Sequence, residues 1–228
     1  AVVPLWNPYN QCGVPFLAEW NTLTLYPLSW IYVLLPMPWA LGMFGLGHLY
    51  LAGLGMYGLA RRWTGQSLAA AVAGTAFAFN GLMWYGLMWP SLTAGWAWMP
   101  WVLLAVELAW RHGQRYLILA AGTAALQLLT GAPEVTLQTW LAAGVIWLMA
   151  LWRGTISRWT LAGRFLGVVG LAAGLAAGQL WPFFELLSHS SRNAGFGSSS
   201  LADVAAMPLT GWANYLVPLF HCLRSPQG

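Results

Sequence analysis

Apolar positions run along this chain in six long blocks, at 38 to 60, 66 to 86, 92 to 110, 115 to 130, 135 to 152 and 160 to 181, separated by short polar connections. A hydrocarbon core about 30 Å thick is crossed by about 20 apolar residues in a helix. Each block therefore predicts a transmembrane helix, and the fold class is an all-α, polytopic helical bundle. Three segments follow: residues 1 to 37 as an outer-face loop with short helices, 38 to 181 as the six-helix bundle, and 182 to 228 as an outer-face segment with a polar loop.

Interruptions inside the blocks predict local structure. Pro4, Pro8, Pro15 and Pro27 forbid a continuous spanning helix through residues 4 to 30, so that stretch is expected as irregular or short helical structure lying on the membrane surface over the bundle. Pro100 removes an N–H from the third block and predicts a kink, or a helix broken near Trp98. Gly170, Gly174 and Gly178 recur every fourth residue, a small-residue ridge expected to be buried against another helix. Trp30, Trp39, Trp84, Trp89, Trp110, Trp152 and Trp181 fall near block ends, where aromatic rings anchor at the headgroup level.

Composition sharpens the class. Hydrophobic residues make up 59% of the 228 positions and charged ones 6%, against about 25% charge in soluble domains. The net charge of +4 comes from Arg without Lys, in clusters at Arg61 and Arg62, at Arg111 and Arg115, and at Arg153, Arg158 and Arg164. These occupy alternate connections, a pattern of membrane topology rather than of nucleic-acid binding. The positive-inside rule puts those connections in the cytoplasm and both ends of the segment outside. A bacterial cytoplasmic (inner) membrane location is the expectation. Residues 1 to 20 lack the basic start and cleavage site of a signal peptide, and the sequence reads as part of a longer chain.

Ionisable residues mark the candidate chemistry. Glu107 and Arg111 stand at i,i+4 and are read as a structural pair. His48, in the first block, is either a ligand to a pigment or haem iron or an interhelical hydrogen-bonding group. Glu134 opens the fifth block in the turn TGAPEVT, where it complements the helix N-terminus or faces an outer cleft able to hold a cation or a sugar hydroxyl. His189, Arg192 and Asp203 lie in SHSSRNAGFGSSSLADV, either a solvated loop or a grip on a lipid phosphate. Cys12 and Cys222 both fall on the outer face, where a disulfide is allowed. The sequence holds neither a metal-ligand cluster, a nucleophile elbow nor a phosphate-cradling glycine loop.

The stretches PLWNPYNQCGVPFLAEWNTLTLYP, HLYLAGLGMYGLARR, AFAFNGLMW, AWMPWVLL, TGAPE, QLWPFFELLSHSSR and LADVAAMPLTGWANYLVP, in that order, resemble the YfhO-like bacterial membrane proteins. The resemblance covers nearly the whole chain and is most specific at WNPY. It implies similarity to glycosyltransferases of the GT-C type, which take a sugar from a polyprenyl-phosphate carrier on the outer face. The catalytic acid of that class would precede Ala1. Trp6, Asn7, Tyr9, Glu19, Glu134, His189, Arg192 and Asp203 are then candidates for outer-face substrate or lipid contacts. No cofactor is predicted beyond bound lipids and a divalent cation in a full-length enzyme. Expected partners are membrane lipids, a polyprenyl-phosphate sugar and other subunits of a membrane complex. The other reading is a non-catalytic accessory subunit of a larger respiratory, photosynthetic or envelope complex.

Overall fold

A computed structural model describes residues 5–9, 13–154 and 156–189. The chain forms two compact units, Ala1–Leu186 and Leu187–Gly228, and of the second only Leu187, Ser188 and His189 are described. The described residues form an all-α bundle: α1 Ile31–Leu34, α2 Met37–Thr64, α3 Ser67–Ala78, α4 Gly81–Gly86, α5 Pro90–His112, α6 Arg115–Leu129, α7 Pro133–Arg153, α8 Arg158–Leu175 and α9 Ala177–Ser188. Proline opens α5 and α7, where a missing N–H is harmless. Gly65, Gly113 and Gly154 follow the ends of α2, α5 and α7 at φ of 71°, 67° and 61°, a left-handed backbone that side chains resist.

Among the described residues, four helical stretches are long and apolar enough to cross a membrane: Met37–Thr64, Ser67–Gly86, Pro90–His112 and Pro133–Arg153. The expectation of six equivalent spans is corrected at two places. Helix α6 has 15 residues, about 22 Å at 1.5 Å per residue, shorter than the hydrocarbon core. The sixth block is not one straight rod, because α8 and α9 meet at an angle of 81°. Counted as one broken span, the pair makes five.

Close approach between helices uses small residues, though not the ridge singled out in the sequence. A Cβ on Gly74 of α3 would lie 2.7 Å from the Gly53 carbonyl of α2, and one on Gly55 would lie 2.6 Å from the Trp101 indole nitrogen of α5. These glycines let α3 and α5 pack directly on the α2 backbone. Gly170 and Gly174 instead have nothing within 4 Å of a built Cβ, and both are exposed. The expected burial of that ridge is therefore overturned: α8 turns its other face, with Leu161, Val168 and Ala172, into the core.

Two further expectations are settled in part. Of the alternatives at Pro100 the break near Trp98 does not occur, since helix α5 runs continuously through Pro100, which is buried beside Gly55. Tight packing on α2 holds the turn that lacks a donor. Trp110 is not an interfacial anchor, being 1% exposed in the main core with Leu59, Val106 and Ala124. Trp30, Trp39, Trp84, Trp89, Trp152 and Trp181 are all more than half exposed.

Arginines of three helices gather at one end of the described bundle. Arg62 of α2 and Arg111 of α5 meet on Glu107, and Arg164 of α8 donates to the Trp110 carbonyl at 2.6 Å. Near the opposite end of α5, a Cβ on Gly95 would touch Ala132 and Val135 at the start of α7. Helices α5 and α7 thus run side by side in one direction, so Arg153 finishes at the end where Arg111 lies.

Candidate functional site

At the end away from the arginines, residues 13 to 30 form a strap. Its start is pinned by paired backbone hydrogen bonds between Asn7 and Val14, at 2.8 and 2.9 Å. Gly13 then passes so close to the Trp6 ring that a Cβ there would overlap it. The prolines limit the strap to two 3₁₀ turns, Trp20–Thr22 and Pro27–Trp30. Short helical structure is what the sequence predicts for this stretch. The strap also sends two side chains inward, because Leu23 and Tyr26 are buried among Phe44 and Ala94.

Tyr26 is the centre of that insertion. Its hydroxyl lies 2.7 Å from His48 Nε2 and accepts a hydrogen bond of 2.7 Å from Trp98 Nε1. His48 Nδ1 lies 2.7 Å from the Phe44 carbonyl, which can only accept. The proton of the neutral imidazole is therefore assigned to Nδ1, leaving Nε2 to accept from Tyr26. One directed chain results, from Trp98 N–H to Tyr26 O–H to His48 and on to Phe44 C=O, with every polar atom of the three side chains engaged. Burial pushes the Tyr26 phenol well above its ordinary range, so Tyr26 is neutral and a donor. Neither nitrogen of His48 can take a metal without breaking a bond of this chain.

Two other elements clamp the strap. Trp20 Nε1 donates to the Leu128 carbonyl at 2.7 Å, and a Cβ on Gly131 would overlap the Trp20 carbonyl oxygen. Gly131 also has φ of 70°, so the TGAP turn admits only glycine there on two counts. On the other side Gln179 Nε2 of α9 donates to the Leu17 carbonyl at 2.8 Å. The Trp20 and Phe183 rings pack with centroids 4.5 Å apart.

This arrangement sets Glu19 immediately before Trp20, and Glu134 in the first turn of α7, three residues beyond Gly131. Glu19 is half-buried and Glu134 exposed. Tyr9 is exposed, and its N–H bonds the Asn7 side chain at 3.0 Å. Trp6 packs on Gly13. His189 Nδ1 lies 3.1 Å from Ser188 Oγ. Arg192, Asp203, Cys12 and Cys222 lie outside the described residues. Among the described residues, no three of His, Cys, Asp and Glu converge on a point that could hold a metal ion.

Glu107 belongs to the other end of the molecule. Its side chain is 5% exposed, 2.8 Å from Arg111 and 3.4 Å from Arg62, and it accepts from Trp63 Nε1 at 2.8 Å. Two cations and an indole surround one carboxylate. The i,i+4 spacing to Arg111 is legible in sequence, whereas Arg62 and Trp63 arrive from a separate helix.

Two apolar grooves open on the sides of the bundle. One, of about 380 Å³, follows the α2 and α3 crossing past Tyr50, Gly53, Tyr57 and Thr75. The other, of about 510 Å³, lies between α2, α5 and α6 and is walled by Leu51, Trp98, Trp101, Gly122 and Leu126. Trp98 thus serves both the buried chain under the strap and the wall of a groove. Sequence reasoning marked His48 but passed over Tyr26 and Gln127. The latter is fully buried and donates to the Gly95 carbonyl and to Thr139. An uncharged polar residue inside an apolar block was the available signal for Gln127.

Compared with known protein families, curated proteins and solved structures, the chain matches none of them.

Proposed function

We propose that this membrane-embedded helical bundle belongs to a lipid-linked-sugar glycosyltransferase of the GT-C type, working at the end of the bundle that carries the strap. In this reading the arginine end faces the cytoplasm of a bacterium and the strap faces outward. A polyprenyl chain would lie in an apolar side groove, with its phosphate and sugar near the strap. Glu19 and Glu134, flanking the contact of Trp20 with Gly131, would meet sugar hydroxyls or a phosphate-bound cation. The catalytic carboxylate is not assigned to any described residue. A carboxylate activating the acceptor hydroxyl while the lipid phosphate leaves is the chemistry such a site would perform.

The observation that carries the reading is the double placement of Trp98. Its N–H anchors the strap through Tyr26, and its ring walls the groove of about 510 Å³, so a chain in the groove would press on the residue that holds the outer segment. The order of the WNPY, TGAPE and related stretches supports the same family. The test is sugar transfer by the full-length purified protein from polyprenyl-phosphate sugars. Transfer is expected, with Glu134→Gln and Glu19→Gln each lowering kcat/KM tenfold or more. Absence of both transfer and retained polyprenyl-phosphate in native mass spectra would sink the reading.

The accessory-subunit reading has one observation of its own, the open glycine face of α8 at Gly170 and Gly174, to which another subunit's helix could dock. Native mass spectrometry of the gently extracted particle separates the two, since an accessory subunit travels with larger partners and transfers no sugar.

A further inference from the structure

We infer that α9 is an in-plane helix seated in the headgroup layer of the leaflet at the strap end, with Trp181 and Phe184 as its lipid-facing anchors. Helix α8 starts at the arginine end, where Arg164 is bonded to Trp110, and its 18 residues rise about 27 Å, enough to reach the other leaflet. Spanning helices tilt about 20° from the bilayer normal on average. A helix leaving α8 at 81° therefore lies close to the membrane plane.

The two faces of α9 agree with that placement. At 100° per residue, Gln179, Pro182, Phe183 and Leu186 fall on one side, and this side holds the contacts to Leu17 and Trp20. Ala177, Trp181 and Phe184 fall on the opposite side, with Trp181 78% and Phe184 59% exposed. Large aromatics opposite the protein contacts suit the boundary between acyl chains and headgroups. The glycines on either side of Ala176, at 174 and 178, weaken the helix where it bends, and the clamp on the strap determines its new direction. The occupant of the aromatic face is thus the lipid surface itself. This inference requires a membrane but not the sugar-transfer reading.

The experiment places nitroxide labels, one at a time, at Ala177, Gly178, Trp181, Phe184 and Glu185 of the full-length protein, with Cys12 and Cys222 changed to serine, in phosphatidylethanolamine and phosphatidylglycerol vesicles. Collision with oxygen and with a water-soluble nickel chelate reports depth. Depth is expected to oscillate with the helical period, with the labels at Ala177, Trp181 and Phe184 deepest and similar to one another and those at Gly178 and Glu185 shallower. A steady change of about 1.5 Å per residue from Ala177 to Glu185 would mean a crossing or re-entrant helix and overturn the inference. So would water exposure at both aromatic positions, or shielding from both reagents, which would indicate a protein partner. Because the labelled positions are independent, a label that perturbs α9 at Trp181 is checked at Phe184.

Discussion

Tyr26 and His48 are joined by a hydrogen bond of 2.7 Å that ties a proline-bounded surface segment to a buried position on α2. With Trp98 donating to the same hydroxyl at 2.7 Å, removal of the phenol oxygen strands two polar nitrogens at once. Tyr26→Phe is therefore expected to lower stability by about 2 to 6 kcal/mol, from about 1 to 3 for each stranded group, read from thermal unfolding in detergent. The double variant with His48→Phe should be less than additive. Additive losses would show that the two side chains do not interact.

The same tyrosine sets an alkaline limit. Burial raises its folded-state ionisation above the ordinary value of about 10. Below that value both folded and unfolded forms keep the proton, so the contribution is complete. Above it the unfolded chain releases a proton that the folded chain retains, and stability falls as pH rises. Unfolding midpoints measured from pH 8 to 11 should decline less steeply at the top of the range in Tyr26→Phe than in the parent. Equal slopes would count against the assignment.

Gly131 and Gly65 make a controlled comparison. Both have positive φ, of 70° and 71°, but a Cβ on Gly65 meets open space and one on Gly131 meets the Trp20 backbone. Gly65→Ala should cost about 1 to 2 kcal/mol, the left-handed backbone penalty alone. Gly131→Ala should cost clearly more and expose the strap to proteolysis. Equal costs, with the strap still protected, would argue that it is not seated on the turn.

Glu107 is shared by two guanidinium groups at the arginine end. Glu107→Gln should destabilise by about 1 to 3 kcal/mol, the lower part of the range reflecting that Arg62 and Arg111 reach solvent. Replacing Arg62 or Arg111 alone should cost less, because each leaves the carboxylate one cation. Denaturation of the three single variants checks this order.

Opposite ends should react from opposite sides of the membrane. With the native cysteines removed, Tyr9→Cys is expected to react with an impermeant thiol reagent in intact cells, and Arg115→Cys and Arg153→Cys only after permeabilisation. Labelling of Arg115→Cys and Arg153→Cys from opposite sides would break the common arginine end.

The membrane class and the helical nature of the chain were legible in sequence because the constraint is local. Within lipid every backbone polar group must be satisfied in its own segment, so length and apolarity alone specify a helix. The prolines of residues 4 to 30 likewise restricted the strap to short turns. Which helix face is buried was not legible, since lipid and protein core are equally apolar and the sequence carries almost no amphipathic signal to separate them. That is why the ridge at Gly170 and Gly174 faces outward while Gly53 and Gly74 make the close crossing. It is also why Pro100 stays within a helix and Trp110 lies in the core. The bend between α8 and α9, the plunge of Tyr26 toward His48, and the meeting of Arg62 with Glu107 are all decided between segments distant in sequence. They depend on tertiary packing because each needs a partner that no local pattern contains.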